Sequence, residues 1–78
     1  MQLARLELLI EPFAENAPGL HVTAAIDILE ATGLAVEMGP FSTTVDGHLD
    51  QLTALAPQIF TAAFSAGATS VQMLLERQ

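Results

Sequence analysis

The sequence predicts an α+β fold of six elements in the order strand, helix, strand, strand, helix, strand. Three observations carry that prediction. Leu6, Leu8 and Ile10 alternate with Arg5, Glu7, Leu9 and Glu11; Val22, Ala25, Ile26 and Leu29 recur at helical spacing; both patterns then repeat in the second half of the chain. The 78 residues predict one domain, spanning 1–78, in which roughly 60–65% of the unfolded surface is buried. Stability at that size is marginal, so a partner subunit helps.

The first strand is expected over Leu3 to Phe13, with one buried face and one mixed face. Pro12 interrupts the ladder because it lacks a backbone donor, and Glu15-Asn16-Ala17-Pro18-Gly19 reads as a loop. Pro18 suits a first helical turn, where its missing N–H has no helical partner. A helix from about Pro18 to Thr32 follows, turning Thr23, Asp27 and Glu30 outward and ending at Gly33.

Leu34 to Met38 alternates again, and after a break or bulge at Gly39-Pro40 a hydroxyl-rich strand resumes. Its stretch, Gly39-Pro40-Phe41-Ser42-Thr43-Thr44-Val45-Asp46-Gly47, sets Phe41, Thr43 and Val45 on one side and Ser42, Thr44 and Asp46 on the other. Asp46 is also placed to cap the next helix. Leu52, Leu55, Ala56, Ile59, Ala63 and Ala66 form that helix's apolar stripe, widened by Phe60 and Phe64 toward core or interface. Pro57 falls inside it, which predicts a kink or break. Past Gly67, Ser70 to Arg77 alternates with Val71, Met73 and Leu75 inward.

This order is the ferredoxin-like βαββαβ sandwich: a four-stranded antiparallel sheet with two helices on one face. Right-handed crossovers are expected to put the first and last strands in the middle of the sheet. Its second face, carrying Leu9, Phe13 and Leu74 beside Glu7, Glu11 and Gln72, is too apolar to stand free.

Charge narrows the functions. Nine acidic residues against Arg5 and Arg77 give a net charge of −7, which disfavours nucleic acid and anionic membrane and favours a cationic ligand. Arg5 and Glu7 break any signal-peptide run, and polar residues interrupt Leu49 to Leu75 too often for a membrane span, so a cytoplasmic protein is expected. The absence of cysteine fits a reducing compartment and removes thiolate metal sites and the best nucleophile. His21 and His48 lack metal-ligand spacing, and no metal centre or catalytic residue is expected.

Taken together, the opening strand Leu6 to Phe13, the helix end Leu29-Glu30-Ala31-Thr32-Gly33-Leu34, the stretch from Gly39 to Gly47, and Phe64-Ser65-Ala66-Gly67-Ala68 resemble the thiamine-binding, YkoF-like family of small ferredoxin-like proteins. The resemblance implies a non-enzymatic protein that binds thiamine or its hydroxymethylpyrimidine moiety and needs no cofactor. It also implies a homo-oligomer built by sheet association, commonly a homotetramer. Side-chain chemistry then nominates Glu7 or Glu11 to balance the cation or accept from the exocyclic amine, and Ser42, Thr43 and Thr44 to bond ring nitrogens. Phe13 or Phe41 is nominated to stack, and His21 to border the pocket. Two other readings stay open: a ligand-free regulatory or assembly module acting through subunit contacts, and a small enzyme of the same fold with a pocket carboxylate or histidine as base.

Overall fold

The computed structural model describes residues 2–12, 19–39 and 42–78. Its elements are β1 (Leu3–Glu11), α1 (Leu20–Glu30), β2 (Val36–Met38), β3 (Thr43–His48), α2 (Leu49–Ser65) and β4 (Ser70–Arg77). They form the antiparallel ferredoxin-like βαββαβ arrangement that the periodicities predict, in the order β2-β3-β1-β4.

That order corrects one expectation. β1 is central, but β3 is its inner companion and β4 lies at an edge. Each βαβ crossover leaves room for one strand between its ends, so β3 enters between β1 and β2, and β1 between β3 and β4.

Alternation along β1 explains the core. Ala4, Leu6, Leu8 and Ile10 are buried, and against them pack Val22, Ala25 and Leu29 of α1 and Leu52, Leu55, Ile59 and Ala63 of α2. The two helices lie side by side, with α2 against β1, β3 and β4. Phe60 and Phe64 do not join the core and stay 39% and 50% exposed.

The strand before the hydroxyl stretch is shorter than its pattern, Val36–Met38, and joins β3 as a hairpin in uninterrupted register from Val36↔Val45 to Met38↔Thr43. Gly39 N–H donates to the Ser42 carbonyl at 2.8 Å and closes it. β3 continues through Gly47 to His48, so Asp46 caps no helix; His48 is the N-cap residue of α2 and makes no side-chain capping bond.

Pro57 does not break α2, which runs unbroken for 17 residues. The proline is exposed, so the Thr53 carbonyl that loses its donor lies on a wet face. Meanwhile Leu52, Leu55 and Ile59 hold both halves of the helix to the same core. The helix ends in a Schellman turn: Ala68 N–H donates to the Ala63 carbonyl at 3.0 Å and Gly67 N–H to the Phe64 carbonyl at 3.2 Å, with Gly67 at φ 107°.

Candidate functional site

Strand register decides which polar residues meet. β1 pairs with β3 as Leu8↔Thr43, Glu7↔Thr44 and Arg5↔Asp46, and with β4 as Glu7↔Leu74, Leu9↔Gln72 and Glu11↔Ser70. Because side chains alternate, Glu7, Leu9 and Glu11 share the helix-free face with Thr44 and Asp46 of β3 and with Ser42, which precedes it. From the outer strands come Glu37, Ser70, Gln72, Leu74 and Glu76.

A shallow depression of about 330 Å³ lies on this face, lined by Glu7, Leu9, Ser42, Gln72, Met73 and Leu74. Its volume is at the lower end of small-ligand sites. Leu9 and the half-exposed Leu74 supply apolar surface, and Glu7, Ser42 and Gln72 supply polar groups. Leu9, Gln72, Met73 and Leu74 were not among the nominated residues, although alternation along the first and last strands already puts Leu9, Gln72 and Leu74 on the open face, where strand pairing sets Gln72 opposite Leu9.

The nominated residues divide by position. Glu7, Ser42 and Thr44 come together on the open face. Glu11 shares the face at the far end of β1, where Ser70 Oγ donates to Glu11 Oε1 at 3.2 Å. Thr43 stands apart from them: it is 7% exposed, on the helix side of the sheet, opposite Leu8 and Met38. With the register continuous through the described residues of the hairpin, the period of two sends Thr43 inward whenever Ser42 and Thr44 face out. His21 lies in the helix layer, its Nε2–H donating to the Pro12 carbonyl and tying the start of α1 to the end of β1. Phe13 and Phe41 lie outside the described residues.

The electrostatics of the face are lopsided. Glu7, Glu11, Glu37, Asp46 and Glu76 surround one cation, Arg5. Asp46 takes that cation for itself: Arg5 Nε donates to Oδ1 at 2.8 Å and Nη2 to Oδ2 at 3.1 Å. The hydrogen bond from Arg5 holds the Asp46 carboxyl below its ordinary value, with partial desolvation pulling the other way. Glu7 is exposed and has no side-chain partner among the described residues, which leaves its charge available to a ligand. Among those residues no three metal-ligating side chains converge, and no helix is long and apolar enough to cross a membrane.

Comparison with solved structures places the fold among known relatives. A domain of unknown function from Bacillus cereus shares 26% identity at a TM-score of 0.71, covering 99% of this chain and 75% of that one. A Thermotoga maritima protein provisionally assigned to thiamine biosynthesis/salvage shares 20% at a TM-score of 0.72, covering 97% and 84%. A hypothetical protein from Methanocaldococcus jannascii shares 22% at a TM-score of 0.72, covering 100% and 80%. Comparison with curated proteins finds no match. The model of the family described as thiamine-binding protein matches residues 7–76, from Glu7 of the open face to Glu76 in β4. A match of that extent, joined to the same fold, means that this chain belongs to the thiamine-binding protein family.

Proposed function

We propose that the chain binds thiamine or its hydroxymethylpyrimidine moiety without transforming it, and does so as a homo-oligomer. The observation that carries this reading is the convergence of Glu7, Ser42 and Thr44 on one acidic sheet face in a chain of the thiamine-binding family. Thiamine presents a permanent cation and an aminopyrimidine. Glu7 balances the cation or accepts from the exocyclic amine, the hydroxyls of Ser42 and Thr44 bond ring nitrogens, and Leu9 and Leu74 give the rings an apolar floor. An open face with Leu74 half exposed also fits association between subunits, which would deepen the depression and dry the Glu7 charge. The cysteine-free chain fits a cytoplasmic setting.

Isothermal titration with thiamine and with hydroxymethylpyrimidine tests the reading. Binding is expected for the wild type, with Glu7→Gln weakening thiamine about tenfold, or about 1.4 kcal/mol. Absence of heat at about millimolar ligand refutes it. The apolar pair Leu9 and Leu74 favours the second reading, a ligand-free assembly module, under which Glu7→Ala shifts oligomer mass and no ligand binds.

A further inference from the structure

Strand pairing sets the open face out in rows. Glu37, Thr44, Glu7 and Leu74 stand side by side on β2, β3, β1 and β4, and in the next row Asp46, Arg5 and Glu76 do the same on β3, β1 and β4. Neighbouring strands lie about 4.8 Å apart, so Glu37 and Glu7 flank Thr44 with roughly 10 Å between their backbones. Arg5 precedes Glu7 by two positions on the same face of β1, roughly 7 Å away, so its long side chain can serve either row.

Asp46 decides which row it serves. Arg5 Nε donates to Oδ1 at 2.8 Å and Nη2 to Oδ2 at 3.1 Å, the two-pronged geometry in which a guanidinium meets a carboxylate or a phosphate. The N–H groups that suit a phosphate are thereby occupied. The guanidinium is held above its ordinary value by the hydrogen bond and the charge of Asp46 first, with Glu37 and Glu7 adding to the hold and desolvation opposing it. The chain's other cation, Arg77, pairs with Ala4, whose buried side chain points to the helix layer, so Arg77 lies on the opposite side of the sheet.

A phosphate therefore finds no cation here. A phosphate monoester carries about −1.5 to −2 charge at neutral pH, which turns thiamine from a cation into a net anion. Beside Glu7 it would meet Glu37 and Glu76 as well, with the one guanidinium of the face already engaged. Like charges placed against each other in this way suppress a wrong partner.

We infer that the open-face site takes the unphosphorylated cation and rejects its phosphate esters, with Asp46 as the positioning residue that enforces the choice by occupying Arg5. This rests on the thiamine-binding reading and adds to it the form of the ligand.

Isothermal titration with thiamine and with thiamine monophosphate, at low salt and at about 0.5 M, tests it. The wild type is expected to prefer thiamine about tenfold or more, and salt to narrow the preference. Asp46→Asn keeps the shape of the side chain and releases Arg5, and is expected to bind the monophosphate about fivefold or more tightly than the wild type does. Adding Arg5→Gln returns the face to its wild-type net charge and is expected to abolish that gain, whereas damage to the fold weakens both ligands together. Wild-type protein that binds thiamine but binds the monophosphate as well or better overturns the selection and leaves thiamine binding standing. A preference that salt does not change overturns its electrostatic basis, and a folded Asp46→Asn protein with unchanged monophosphate affinity overturns the role of Asp46. Absence of binding by either ligand refutes the thiamine reading and this inference with it. If Asp46→Asn does not fold, the wild-type preference and its salt dependence decide.

Discussion

Replacing Pro57 by alanine is expected to stabilise this protein. In α2 the proline stands at the ninth of 17 positions, removes the donor that the Thr53 carbonyl would otherwise meet, and crowds that carbonyl with its ring. Alanine restores both and is favoured by about 3 kcal/mol in a helix interior. Against this stands the smaller conformational freedom of the unfolded proline chain, about 0.4–1 kcal/mol. Pro57 is exposed, so its loss removes no core contact. The net gain is about 2 kcal/mol, a large fraction of the roughly 4–12 kcal/mol that a domain of this length has in total. For a chain of this size it corresponds to a rise in melting midpoint of roughly 8–16 °C. Calorimetry at matched protein concentration and urea titration measure it, the second separating a change in stability from one in compactness. A Pro57→Ala midpoint equal to or below the wild type refutes the argument, because it means the proline ends a helix segment in solution and alanine has no ladder to complete.

Gly67→Ala is expected to cost about 1–2 kcal/mol, since φ of 107° is unfavourable for any side chain although nothing stands near the added methyl; urea denaturation measures the loss. Asp46 gives a pH signature. Its folded-state carboxyl is held below the unfolded value of about 3.9, so the stabilisation is full above that pH and is lost as pH falls through the lower folded value. Urea midpoints are therefore expected to fall more steeply below about pH 4 in the wild type than in Asp46→Asn, and parallel curves refute the pairing. About molar salt is expected to shrink the difference, because both partners of the ion pair are about half exposed.

Periodicity alone was enough for the type and order of all six elements, because burial of one face enforces a period of two in strands and 3.6 in helices. It was not enough to say which hydroxyls join Glu7, because a bulge at Gly39-Pro40 would exchange Thr43 for Ser42 and Thr44; the pairing of β1 with β3 sets Thr44 opposite Glu7. What tertiary structure decided was everything that depends on neighbours distant in sequence. Sheet order moved β4 to an edge, because two crossovers interleave. Asp46 went to Arg5, 41 residues away, and not to the adjacent helix, because antiparallel register sets the two side chains opposite each other. Phe60 and Phe64 lie outward because the core beneath α2 is already filled by Leu52, Leu55, Ile59 and Ala63. Thr43 was nominated for its hydroxyl, yet the same alternation that exposes its two neighbours packs it under the sheet, where its distance from Glu7 is a matter of face and not of sequence. Spacing along the chain sets which face a residue can occupy; the pairing of strands far apart in sequence sets what it meets there.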